Sequence, residues 1–174
     1  MIKFKHYTHF GTTEADTHAI QQYIPMDDIF FKFIMGTLTE VTPEDFEGIT
    51  TLRQDCFYYP NLIGSDYGGC SIKRFEFPDT ITDIPQGFMH GYTCDEVIFP
   101  SNLSSIGGSV FTDTIIADFS KVTKIPSIEA TVYGLNSFQN TTTIKVPSSL
   151  YSAWSSASDW TSAVSSLTDK LVAV

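Results

Sequence analysis

The chain has 174 residues, of which 42% are hydrophobic and only 17% charged, and its formal net charge is −10. That length suits one domain, or one domain with an attached arm. The ten Lys and Arg residues are scattered and form no basic stripe. Neither nucleic acid nor an anionic membrane surface is therefore an expected partner, and no run of about 18 apolar residues exists to span a bilayer.

The first segment, MIKFKHYTHF, alternates Ile2 and Phe4 with Lys3 and Lys5. This is a strand pattern, not an export leader, and the expectation is a product that stays out of the general secretory route. In TTEADTHAIQQYIP, Thr12 or Thr13 can cap a short helix that stops before Pro25. The apolar run Ile29 to Met35, bounded by Asp28 and Gly36, reads as a buried strand. Residues 1–36 thus form an N-terminal arm that either caps the remainder of the chain or docks onto a partner. His6, His9, Asp16 and His18 are metal-ligand types. His6 and His9, three residues apart in a strand, face opposite ways, so no metal is expected there.

From residue 37 the chain repeats itself. FEFPDTITDIPQGFM from Phe75 aligns with VIFPSNLSSIGGSVF from Val97 at an offset of 22. Phe77-Pro78 falls on Phe99-Pro100, Ile81 on Leu103, Ile84 on Ile106, Pro85 on Gly107, and Phe88-Met89 on Val110-Phe111. In IIADFSKVTKIP, Val122 matches Leu103, Ile125 matches Ile106 and Pro126 matches Gly107, all at 19. Earlier, Ile49, Leu52 and Cys56-Phe57 keep the pattern, with an enlarged Gly-rich loop from Tyr58 to Ser71. Later, Val146-Pro147 and Leu150 repeat its first half.

Each unit opens with a β run that a Pro ends, because Pro cannot donate to a ladder. The apolar spacing Ile81, Ile84, Phe88 then points side chains at one interior, and Gly or Pro serves the turn. One coil cannot bury its apolar face alone; stacked coils can. The expected fold is mainly β, a short solenoid of parallel strands over residues 37–150. Its inward rows are Ile81, Leu103, Val122 and Leu52, Ile84, Ile106, Ile125. Cys56, Cys70 and Cys94 are three, cannot pair completely and form no CxxC, so they read as apolar wall positions.

This pattern resembles the BspA-type leucine-rich repeat, whose unit runs from a β strand through Ile-Pro to V-x-x-I-G-x-x-A-F. VIFPSNLSSIGGSVF comes nearest, with Val110-Phe111 in the Ala-Phe place, while Pro85 and Pro126 replace the Gly. IKVPSSLYSAWSSASDWTSAVSSLTDKLVAV is similar to the closing segment of such repeat proteins in gut-type bacteria and their phages. Leu150, Tyr151, Trp154 and Ala157 have helical spacing, so residues 151–174 are expected to be a short helical cap on the last coil. Leucine-rich repeats commonly bind on the sheet face. If alternation holds, the outward strand residues here include Arg74, Glu76, Ile98, Ala117 and Lys145.

No G-x-S-x-G nucleophile, phosphate-cradling Gly motif or spaced carboxylate pair is present. The chain therefore reads as a binding protein without catalysis, cofactor or metal. The resemblance implies a bacteriophage virion structural or attachment protein: a head or tail fibre, a baseplate piece or a capsid decoration, present as a homo-oligomer or in many copies of a larger assembly. Residues 1–36 would then dock onto other virion proteins, and the solenoid would meet a host surface protein or glycan. A bacterial cell-surface adhesin domain and an intracellular interaction module are the alternatives.

Overall fold

A computed structural model describes residues 38–46, 50–52, 71–89, 93–130 and 136–174. The elements expected in residues 1–36, Cys56 and Cys70, and the enlarged loop apart from Ser71 lie outside the described residues.

Two parallel sheets run along a solenoid. The first contains β1 (Glu40–Val41), β2 (Ser71–Glu76), β4 (Thr93–Ile98), β6 (Asp113–Asp118), β8 (Thr143–Val146) and β9 (Leu171–Ala173), in the order β1-β2-β4-β6-β8-β9. The second contains β3 (Asp83–Ile84), β5 (Ser105–Ile106) and β7 (Ser127–Ile128). Each coil gives one strand to the first sheet; β2, β4 and β6 are each succeeded by a short strand in the second. All pairings are parallel. The order of the large sheet skips the short strands because each coil must complete its circuit before it can pair with the one before.

The register stacks like on like. Phe75, Val97, Ala117, Ile144 and Leu171 form one inward row, and Ile72, Cys94 and Thr114 another. Ile81, Leu103 and Val122 are buried as expected, and so are Ile84 and Ile106. The partner of Ile106 in the next coil is Ile128, not Ile125. The third coil carries three more residues between Val122 and this position than the second carries after Leu103. Ile125 is consequently only partly buried, against the side of the core, as is Leu52.

Rings fill the interior between the sheets. Phe77, Phe99 and Phe119 stack, with centroids 5.9 Å and 4.0 Å apart. Phe88, Phe111 and Phe138 form a second column at 5.7 Å and 5.9 Å. The columns interlock edge to face, as between Phe99 and Phe111 at 5.3 Å and 89°. Offset and perpendicular contacts suit the ring quadrupole and add about 0.5–1.5 kcal/mol per pair beyond area burial. Met89, Phe111 and Phe138 occupy the corners of successive coils in left-handed backbone, with φ of 55°, 48° and 54°.

After β8 the chain forms α1 (Tyr151–Ser155), α2 (Ser158–Ala163) and α3 (Leu167–Lys170) before β9. The expected cap is therefore helical, but it ends in a strand that adds a rung to the sheet. Trp154 and Trp160 are fully buried. The Trp160 ring continues the second column by stacking on Phe138 at 6.0 Å. Its Nε1–H donates to the Pro126 carbonyl at 2.8 Å, and the Ile128 N–H donates to Asp159 at 3.1 Å, so α2 satisfies the open edge of β7. The Lys170 ammonium donates to the carbonyls of Phe138 and Gln139. Burial of this lysine pulls its pKa down.

Two substitutions test this packing. Ile106→Ala removes a fully buried side chain from the middle rung, and an unfolding loss of roughly 2–5 kcal/mol is expected in denaturant titration. Thr114→Val acts the other way. The Thr114 hydroxyl is buried with no hydrogen-bond partner among the described residues. Replacing it by a methyl of the same shape should raise stability by about 1 kcal/mol, read as a higher denaturant midpoint at unchanged slope.

Candidate functional site

The outward face of the large sheet is an extended surface that the coils build together. Within β2, β4 and β6 the chain turns two successive residues outward between buried ones: Lys73 and Arg74, Asp95 and Glu96, Ile115 and Ile116. Simple alternation does not hold there. Register aligns Arg74, Glu96, Ile116 and Thr143 as one outward row, and Glu76, Ile98, Asp118, Lys145 and Val172 as another.

Of the outward residues expected from sequence, Arg74 is exposed, Glu76 and Lys145 are half-buried, and all three lie on this face. Ile98 is in the outward row but only 7% exposed, between its register neighbours Glu76 and Asp118. Ala117 is a correction. It pairs with Val97 and Ile144 and is fully buried in the inward row. The spacing of 19 between Leu103 and Val122 does not apply to the strands, where Val97 and Ala117 are 20 apart. A slip of one residue moves a side chain to the other side of the sheet. Asp118 takes the outward position instead.

Two lysines each reach across an intervening strand. Lys145 on β8 pairs with Asp118 on β6 at 3.2 Å and with Glu96 on β4 at 2.9 Å. Lys121, just after β6, pairs with Glu76 on β2 at 2.6 Å, and Arg74 meets the same carboxylate at 2.7 Å. Hydrogen bonding to Glu96 raises the Lys145 pKa against the pull of burial. Burial pushes the Asp118 carboxyl up. Hydrogen bonds from the Ser120 hydroxyl and N–H and from Lys145 outweigh it and hold the group below its usual value. The side chains of Glu96, Asp118, Lys121 and of the exposed Ile115, Lys73 and Asp95 were not singled out by sequence. The signal for them was the spacing of 20 from Cys94 to Thr114 and from Val97 to Ala117.

Beyond this face, carboxylates tie coil to coil. Asp79 accepts from the N–H and hydroxyl of Ser101, which hold its pKa down, and Asp83 accepts from the hydroxyls of Ser105 and Thr82 with the same result. Carboxylates with depressed folded pKa values stabilise the fold above their unfolded value, near 3.8. That contribution is lost as pH falls through the folded values. The Lys145 contribution has the opposite sense: it is complete below 10.5 and disappears as pH rises through the raised value. Melting temperature should therefore fall below about pH 4 and again above about pH 10. Exposure of Asp79 and Asp83 to solvent keeps their share small.

Among the described residues, no group of three or more His, Cys, Asp or Glu side chains is placed to hold a metal ion, and no helix is long and apolar enough to cross a membrane. His6, His9, Asp16 and His18 lie outside those residues. Cys94 is buried as expected, its thiol donating to the Glu96 carbonyl at 3.3 Å.

Parallel coils, a ladder of like residues and a broad sheet face define a repeat solenoid, an architecture of the protein-interaction kind. The model of the BspA type leucine rich repeat region matches residues 26–145 and 63–168, in six copies, and the chain belongs to that family. No curated protein and no solved structure matches it.

Proposed function

We propose that this chain is a non-catalytic binding subunit that presents the outward face of its large sheet to a partner, and that it works in multiple copies as part of a bacteriophage particle. The observation that carries the binding reading is the face itself. Exposed Ile115 stands beside Ile116, flanked by Asp95 and Glu96, with the Lys145 and Lys121 ion pairs along the adjoining row. A small apolar centre inside a charged rim is the anatomy of a protein interface. The face has no aromatic platform among the described residues, which favours a protein partner over a neutral glycan. Net negative charge supports a partner other than nucleic acid.

The particle setting has narrower support: the resemblance of residues 144–174 to the closing segment of repeat proteins from gut-type bacteria and their phages. In that setting residues 1–36 dock onto other virion proteins, and the partner of the face is a host surface protein or glycan. A cell-surface adhesin-like module is the second reading, and family membership favours it. Mass spectrometry of purified particles separates the two, because a virion subunit must be found there at defined copy number. For the face, labelled chain is assayed on host cells with wild type and with Ile115→Asp. Loss of binding by at least about tenfold is expected if Ile115 is a hot spot. Undiminished binding of the variant would move the site elsewhere.

A further inference from the structure

The last strand of the large sheet leaves an edge with unusual chemistry for this chain. Val174 exchanges both backbone groups with the β8 side, its N–H to the Val146 carbonyl and its carbonyl from the Ser148 N–H. In a parallel ladder the phase repeats every second residue, so Val172 also faces β8. Ala173 between them turns its N–H and C=O away from the sheet. Val172 and Val174 are 45% and 54% exposed and project from one side of the strand. Lys170, the nearest cation in sequence, is turned inward onto the carbonyls of Phe138 and Gln139 and does not guard this edge.

The surface around it is equally distinctive. Across residues 151–174 the exposed side chains are small, hydroxylated or aliphatic, and Asp169 is the only exposed charge. On a protein of net charge −10, a second copy approaching here meets few like-charged side chains among the described residues.

We propose that β9 pairs antiparallel with β9 of a second copy, about a two-fold axis at Ala173. The geometry sets the register. Ala173 opposite its own copy forms the hydrogen-bonded pair, two N–H···O=C bonds made reciprocally. Val172 then stands opposite Val174 of the other chain, and Val174 opposite Val172, at the close non-hydrogen-bonded positions where aliphatic pairs gain most. The valines of each pair shield one another's flanks, and the two sheets join into one. The contact is self-complementary, as a closed dimer requires. It is also short, which places it in the weak class of interfaces, with a dissociation constant on the order of 100 µM. Val172 ends one outward row of the large sheet, but this contact runs along the strand edge, away from the centre at Ile115, and the inference does not rest on the partner proposed for that centre.

Sedimentation equilibrium of the full chain from about 10 µM to about 1 mM, at low and high salt, tests it. Wild type should pass from monomer to dimer, more readily at high salt because repulsion between the acidic chains is screened. Ala173→Pro removes the outward N–H without touching the ladder to β8, and Val172→Lys places a charge in the apolar pair. Both should stay monomeric over the same range, with unchanged far-ultraviolet circular dichroism. Should the proline variant lose its dichroism, the lysine variant decides alone. A wild type that remains monomeric, or an assembly that the folded variants leave intact, overturns the proposal; the first result leaves the edge to a strand of another protein.

Discussion

Trp160→Ala should cost about 3–5 kcal/mol, the range for deleting a large buried aromatic. Trp160 touches Phe119, Phe138 and Trp154 at centroid separations of 5.4, 6.0 and 4.9 Å, so one deletion opens both ring columns at the end of the core. It also strips the Pro126 carbonyl of its donor. Trp160→Phe separates these effects: the ring stays in part, and the lost hydrogen bond should account for roughly 1–3 kcal/mol. Trp154 is the control. It is equally buried, but its Nε1–H has no partner among the described residues, so Trp154→Phe should cost less than Trp160→Phe. Equal losses in denaturant titration would contradict the assignment of the Pro126 bond.

Gly107→Ala should destabilise by more than about 3 kcal/mol, beyond ordinary overpacking of a side chain. A Cβ built on Gly107 would lie 2.2 Å from the backbone nitrogen of Gln86, 2.5 Å from its Cα and 2.7 Å from the carbonyl carbon of Pro85. These are backbone atoms of the preceding coil, which cannot swing aside as a side chain would. The Gly107 N–H donates to the Ile84 carbonyl at 2.7 Å, and this short bond holds the coils at that distance. The methyl must part β3 from β5 or be accommodated by a shift of the whole coil. A Gly107→Ala protein with a wild-type denaturant midpoint would mean that the two coils are not in this contact.

Gly107 also illustrates what was legible in the sequence. Its place in the repeat, opposite Pro85, was plain, and a turn needing special backbone angles was the expected reason. The physical reason is close approach of two backbones, which depends on the neighbouring coil and leaves no local signature. Conversely, left-handed corners do exist at Met89, Phe111 and Phe138, where bulky residues gave no sign of them. The inward rows were readable because burial imposes a period on apolar residues, as Ile81, Leu103 and Val122 attest. The third coil was not, because the strand spacing of 20, the spacing of 19 from Leu103 to Val122 and the three residues added after Val122 produce three different offsets within one turn. That is why Ile125 was placed where Ile128 belongs, and Ala117 where Asp118 belongs. Of the outward face, Arg74, Glu76 and Lys145 were legible as strand residues; the ion pairs that join distant strands were not.

The placement of the indole rings has a practical consequence. The whole sequence contains two tryptophans, and both lie in the terminal helices against Phe119 and Phe138. Tryptophan emission, excited selectively beyond the tyrosine band, is therefore a local reporter of the final turn, blind to the coils around Phe75 and Phe77. Because the packing runs mainly between neighbouring coils, disruption can start at either end and advance rung by rung. If opening begins at the far end, ellipticity will decline while emission holds steady. If it begins beside the indoles, emission will move first. A single heating experiment followed by both signals thus reveals the direction in which the molecule comes apart.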